Sequence, residues 1–472
     1  MTLRDVTTTV SDGNLGILPQ GASRVVLYVG AASVGTANTV YSIGDVAGVE
    51  ARGEGPAVEA MHQAINVGGG PLLFVPCATS VGTKTAVTQS GAGPVITLSG
   101  DPLDEYDVKV QITAAGILGV SKLKISLDGG RTYSDEAFTA ASYPISGTGI
   151  TLTMAAGTYV LSEIYSFTTT APSFSTSQLN AALDAAFVSQ YEFGHVYVAG
   201  PPPGADDTAK ATASAAFAAA LQSKLDSSTL SRHKYTRGTI ECPKVPDASL
   251  QAAFASVVTP RVGWSGGFGR VQSTKSGRQP SVPVIRALIG KVHRKPLGKS
   301  MSEMMPPSWA LLPTSVLSLD RDEFATPGLD ASRFITFRTI PGRPGFYLEK
   351  WRLGSLPSSD FQQLQHGQVI DEACRVGRGK ALDWLSYDLE YKEDGTGQLT
   401  DAQASVIEDS IDAVVRLALV PKDVVNVQVR VSRTNNVLST STLLVSIGVL
   451  PKGYADFIEL TVGFTNQIVT EN

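Results

Sequence analysis

The sequence predicts an α/β and α+β multidomain fold. An α/β core layer carries an inserted all-β domain, and a C-terminal domain of two helices with a mixed or antiparallel sheet follows, with β arms at both termini. Three observations predict it. Continuous apolar runs alternate with helical segments on either side of residues 82–172. Within 82–172 the apolar residues alternate with polar ones at period two. After residue 326, two helical segments precede three further alternating runs.

The first twenty residues read as an extended arm. Val6, Thr8 and Val10 lie in a wholly β-branched run that Ser11-Asp12-Gly13-Asn14 breaks. An isolated strand is marginal in water, so the run is either a frayed end or a strand that completes another sheet. The α/β core is assigned to 21–81 plus 173–325. Residues 25–29 form an apolar run of the kind buried on both faces. A helix over 56–65 stops at the glycines 68–70, and 71–76 is the next strand. The pattern resumes with a helix over 177–187, a strand at 195–198 and an Ala-rich helix over 206–225 with Phe217, Leu221 and Leu225 on one stripe. A strand at 237–242 and a helix over 247–258 follow, then a Gly-rich loop at 263–269.

The inserted outer domain, 82–172, shows Ile96 and Leu98, then Val108, Val110 and Ile112, then Leu123, Ile125 and Leu127, then Ile150, Leu152 and Met154. Turn clusters separate these runs, so a small sandwich or barrel is predicted, outside the core. Pro327-Gly328 marks the next boundary, with 326–454 as the C-terminal core domain and 455–472 as the C-terminal arm.

Composition limits the function classes. At 472 residues the chain exceeds one core. Charged residues are 17%, which fits a surface that faces other subunits as well as one rich in small neutral side chains; we favour the first. A net charge of −5 without a basic stripe disfavours nucleic acid. The start lacks an apolar signal core and no run of about 18 apolar residues occurs, so neither a cleaved signal nor membrane insertion is expected. Cys77, Cys242 and Cys374 are odd in number and dispersed, as reduced buried thiols are.

Several motifs resemble catalytic ones. Gly263-Trp264-Ser265-Gly266-Gly267 fits the nucleophile elbow, but the glycines and polar residues that follow are poor helix formers, so a structural loop is preferred. Ser126, Asp128, Gly130 and Thr132 fit the Asp-box, a device that braces a hairpin; a single copy makes no propeller. Gly298-Lys299-Ser300 and Gly377-Arg378-Gly379-Lys380 lack the first glycine of a phosphate loop. The five histidines are scattered, and no catalytic, cofactor-binding or metal-binding residue is assigned.

The C-terminal third carries the organising pattern. Arg338-Thr339-Ile340-Pro341-Gly342 and Tyr347-Leu348-Glu349-Lys350-Trp351 read as strand, turn and strand. Ser359 with Gln362, and Thr400 with Gln403, fit capping boxes of two helices, the second stopped by Pro421. On the first helix Asp371 and Arg375 fall at i, i+4, with Arg378 and Lys380 beyond. Ile407, Ile411, Val414 and Ala418 of the second face inward, and Glu408, Asp409 and Asp412 outward. Val425, Val427, Val429 and Val431 alternate, then Leu443, Val445, Ile447 and Val449, then Ile458, Leu460, Val462 and Phe464.

This block resembles the C-terminal core of contractile tail sheath proteins, found in long-tailed phages and related injection machines. The turn, the aromatic strand, the helix pair and the closing strands carry the resemblance, which covers this block well and the N-terminus loosely. It implies a structural, non-enzymatic subunit without cofactors that polymerises helically around an inner tube and contracts to drive it through a target envelope, without nucleotide hydrolysis. It also implies inter-subunit arms at Val6, Thr8 and Val10 and at Ile458, Leu460, Val462 and Phe464, and a tube-facing stripe of Arg375, Arg378 and Lys380. Partners would be copies of itself, the inner tail tube protein, and baseplate and tail terminator proteins, in a virion tail assembled in a bacterial host cytoplasm. The alternatives are a β-rich adhesin or carbohydrate-binding protein working through 82–172, and a serine hydrolase using Ser265.

Overall fold

The computed structural model describes residues 21–460 apart from Pro201 and Phe457. Its centre is a six-stranded sheet. Val262–Ser265, Arg237–Glu241, His195–Ala199, Val26–Gly30 and Leu72–Pro76 run parallel in that order, and the short Tyr41–Ile43 closes the edge antiparallel. The continuous apolar runs have the physical cause the sequence implies. Val26 and Tyr28 face one apolar cluster while Leu27 and Val29 face another, so every position of the strand is covered. Pro56–Asn66 lies on the first face; Thr176–Val188, Asp207–Arg232 and Asp247–Phe254 lie on the second. Ser175 and Gln178 form a reciprocal capping box at the start of 176–188.

Several boundaries move. The 207–232 helix runs past the expected end at 225, because Leu225 and Ser228 remain buried and His233 supplies the left-handed residue that stops it. The 247–254 helix stops short of 258. Residues 263–269 are mostly strand: Val262–Ser265 and Phe268–Val271 are strands, joined by Gly266-Gly267. Their glycines answer to close packing. A Cβ on Gly263 would stand 2.5 Å from the Arg352 carbonyl oxygen, and one on Gly267 would stand 2.3 Å from the Phe337 ring.

Residues 80–173 leave and rejoin the body side by side, through a Ser80–Ser173 bridge and hydrogen bonds between Thr83 and Thr170. The segment forms antiparallel sheets of five, three and two strands around its own apolar cluster, with no closed barrel among the described residues. Its attachment to the body is ionic. Arg278, buried, pairs with Asp104 and with Glu59 of the 56–66 helix, donates to the Glu105 carbonyl at 2.9 Å and lies over the Tyr106 ring.

Beyond the sheet, Phe268–Val271 pairs with Ser281–Pro283 and Val316–Leu319, and Phe337–Ile340 forms a hairpin with Arg343–Leu348. Residues 335–364, assigned from the sequence to the C-terminal block, pack into the first cluster of the body. Ile335, Phe337, Leu348, Trp351 and Leu353 are too apolar and too near the sheet to remain outside it. A separate C-terminal cluster gathers Val369, Ala373, the 401–419 helix and the strands after it.

Candidate functional site

Among the described residues, the C-terminal block leaves a strand edge open. The Asp401–Leu419 helix starts where predicted, since the Thr400 hydroxyl accepts the Gln403 amide. It buries Ala404, Ile407, Ile411, Val415 and Leu419. Glu408 is a correction: it turns inward, accepts the Val431 amide and pairs with Arg433. The Leu364–Ala381 helix begins five residues after Ser359. Ser359 instead accepts the Phe361 amide in a preceding turn, and Gln363 at the helix start supplies no side-chain cap.

Val424–Val431 and Val445–Pro451 form an antiparallel ribbon over these helices. A bulge near Val424 shifts the expected alternation by one place at its start, so Val424 turns in and Val425 turns out, 53% exposed. Val424, Val427, Val429 and Val431 are buried. On the same face of the partner strand, Val445, Ile447 and Val449 stay half-buried. The first strand lies on the 401–419 helix. The second lies towards the 364–381 helix, where a Cβ on Gly377 would meet Ile447 at 2.5 Å. Among the described residues nothing pairs with its other edge. Two strands alone are marginal, and a strand with a half-buried inward face and an unpaired edge can take a further strand beside it.

A groove of about 550 Å³ opens at the end of this ribbon. Val449, Pro451, Val369 and Ile370 are its apolar lining, with His366 and Gln365 beside them. Gln365 is 1% exposed and its Oε1 has no hydrogen-bond partner among the described residues. A buried acceptor next to an uncapped helix start suits a peptide backbone, which brings donors and acceptors together. Lys452 and Tyr454 line the groove's end. The Tyr454 hydroxyl donates to the Gly298 carbonyl, its ring stacks on His366, and Lys350 pairs with Asp456 at 2.8 Å. Ile458 and Leu460 then stand 78% and 84% exposed and belong to no strand. Val6, Thr8, Val10, Val462 and Phe464 lie outside the described residues.

The stripe on the 364–381 helix is partly used internally. Asp371 makes no pair with Arg375. It is buried and takes Arg237 at 2.6 Å and Arg261 at 3.1 Å, because the helix packs on the body instead of standing in solvent. Arg375 donates to Ser23, Glu372 and the Tyr235 carbonyl. Lys380 pairs with Asp383, and no hydrogen bond or ion pair holds Arg378 among the described residues. The only cation of the three left unengaged there is Arg378.

The catalytic look-alikes resolve into structure. Ser265 is fully buried, and its Oγ has no hydrogen-bond partner among the described residues, so no base addresses it. Asp128 accepts from Ser126, Arg131 and Thr132 and from the Gln279 amide of the body. Burial alone would raise its carboxyl, but the hydrogen bonds led by Thr132 pull it down to about 2. Gly298 donates its amide to Asp423 at 2.9 Å and lies so close that a Cβ would stand 1.7 Å from the Asp423 oxygen. Beside it Lys295 is buried, its ammonium donating to three carbonyls while desolvation lowers it to about 7. This junction gives no sequence signal, since its parts lie more than a hundred residues apart. No helix among the described residues is long and apolar enough to cross a membrane.

A family model described as DUF2586, N-terminal domain, matches residues 3–351. The chain belongs to the DUF2586 family. No curated protein matches this DUF2586 chain. Solved structures do match it, over nearly its whole length. A chain of the anti-feeding prophage (AFP) baseplate in contracted state is similar at 11% identity with a TM-score of 0.54, covering 98% of each chain. The AFP helical sheath in contracted state gives 14% identity and 0.51, covering 99% of this chain and 100% of the other. The PVC sheath complex of an extracellular contractile injection system, also contracted, gives 8% and 0.50 over 99% of each. At these identities the likeness is one of fold: this DUF2586 protein has a mixed α/β, sheath-like fold.

Proposed function

We propose that this protein is the subunit of a contractile sheath, a non-enzymatic polymer wound helically around an inner tube that it drives through a target envelope. The observation that carries the proposal is the half-buried inward face of the 445–451 strand with its open edge and adjoining groove. A strand from another copy, supplied by residues 6–10 or 458–464, would finish that floor by β-augmentation. Five or six added backbone hydrogen bonds at about 0.5–1.5 kcal/mol each give several kcal/mol per link. A contact of one copy's arm with another copy's edge is heterologous and generates a helix when its rotation does not close.

The proposed division is a 1–20 arm, a body of 21–81 plus 173–325, an outer 82–172 domain, a 326–454 block of which residues 335–364 pack into the body's core, and a 455–472 arm. Contraction would keep the arm links and exchange weaker body contacts for larger ones, so the work comes from interface free energy without nucleotide. Arg378 is the cation of the proposed tube-facing stripe with no partner to give up among the described residues, ahead of Arg375 and Lys380. An inner tube protein, baseplate and terminator proteins would be its partners, in a tail assembled in the bacterial host cytoplasm. Negative-stain microscopy of the purified protein tests the reading through the presence of helical tubes. Deleting residues 2–18 should leave a folded monomer that does not polymerise; intact tubes from that truncation would refute the arm assignment.

A further inference from the structure

The chain leaves its own ribbon in a fixed direction. Pro451 pairs with Val424 as the last rung. Ile447 packs on Gly377 of the 364–381 helix, while Val449 and Pro451 lie by Val369 and His366, nearer the start of that helix. Four fastenings then carry the chain onward past the ribbon's end. Lys452 donates to the Lys422 carbonyl at 2.6 Å, and the Tyr454 hydroxyl donates to the Gly298 carbonyl. The Tyr454 ring stacks on His366 with centroids 5.8 Å apart, and Asp456 pairs with Lys350 at 2.8 Å. Gly298 is itself held, since its amide donates to Asp423, the residue before the first ribbon strand. The anchors Gly298, Lys350, His366 and Lys422 come from separate stretches of the chain, so the tertiary fold builds this direction.

The direction matters because the chain carries a segment that suits its own open edge. Ile458, Leu460, Val462 and Phe464 alternate as a half-buried strand does. Hairpin loops take about two to five residues, so 452–457 is long enough to bring 458–464 back beside 445–451. A strand on so short a tether meets its edge at an effective concentration in the millimolar range, above that of a free neighbour. Closure within one chain would then fill the edge first and leave nothing for another copy. The described part of the tail does not close: Ile458 and Leu460 stand exposed in no strand.

We propose that residues 452–456 are a clamp that keeps the chain's own C-terminal strand off its own open edge, and so reserves that edge for another copy. The inference rests on the sheath reading above and deepens it, by naming what decides between closure within a chain and exchange between chains. The same strand-to-edge contacts form in either case, so the strand cannot make the choice and the tether must. Tyr454 is the centre of the clamp, with a hydroxyl bond to one anchor and a ring contact to a second. Asp456 holds the last described turn of the tail to the body through Lys350, just before the alternating segment begins.

Hydrogen exchange of the full chain, kept below any concentration at which tubes form, tests it. A Tyr454→Ala, Asp456→Ala variant frees the tail. Both side chains are more than a third exposed, so thermal melting should not fall. Backbone amides of 445–451 should exchange at least about tenfold more slowly than in the native chain, as the freed 458–464 closes on them. Deleting residues 458–472 from the same variant should return exchange to the native rate. Unchanged exchange in the variant, or slowing that persists after the deletion, would overturn the proposal. Tube formation gives a second reading. The variant should need at least about tenfold more protein to polymerise, and one that polymerises as readily as the native chain would also overturn the clamp. A native chain that forms no tubes would refute the sheath reading, and the exchange rates would still decide the clamp.

Discussion

Buried charge decides the behaviour of single residues here. Asp371 neutralises Arg237 and Arg261 where the 364–381 helix meets the body, with side chains 5%, 3% and 18% exposed. Asp371→Ala would strand two guanidinium groups and should cost about 3–5 kcal/mol in urea unfolding, whereas Lys380→Ala, at a half-exposed pair, should stay within about 1 kcal/mol. His195 and His293 are buried within the body, and desolvation lowers both to about 3. Their folded values lie below the ordinary one near 6.5, so the unfolded chain binds more protons below that pH. Their contribution is complete above about pH 6.5 and is lost as pH falls towards 3, by up to about 1.4 kcal/mol per histidine for each pH unit. Melting temperature should fall steeply between pH 6 and pH 4, and less steeply in a His195→Gln, His293→Gln variant.

Among the elements, the ribbon separates folding from assembly. Val429 is buried against the 401–419 helix, while Val449 sits half-buried at the mouth of the groove. Val429→Ala should therefore destabilise the monomer by about 1–3 kcal/mol, the cost of a buried methyl pair and its cavity. Val449→Lys should cost the monomer little, because its ammonium reaches solvent, and should abolish polymerisation by closing the apolar floor to an incoming strand. Unfolding curves and sedimentation of the two variants would distinguish these effects. The alternation of 424–431 was legible in the sequence, and the bulge that exposes Val425 was not. A one-residue shift at the strand's start depends on how it meets Asp423 and Gly298, far away in the chain.

For the molecule as a whole, rigidity rests on a few long-range ionic ties between separately cored parts. Arg278 joins the 82–172 segment to the body through Asp104 and Glu59, three side chains no more than 9% exposed. Arg278→Ala should leave two buried carboxylates unpaired and loosen that segment at its entry strands. Limited proteolysis near residues 80–84 and 170–173 should then quicken at least tenfold while the body remains folded.

The sequence by itself determined the succession of elements: parallel strands from continuous apolar runs, the inserted β segment from period-two alternation, and the second C-terminal helix from its Thr400 cap. These are local properties, written within windows of a few residues. Only the tertiary structure decided that 262–265 and 268–271 are strands, that Asp371 reaches across to Arg237 instead of Arg375, that residues 335–364 join the body's core and that the Gln365 Oε1 has no hydrogen-bond partner among the described residues. Each of these depends on which distant surface covers the segment, and burial against a distant neighbour leaves no periodic trace in the chain that undergoes it.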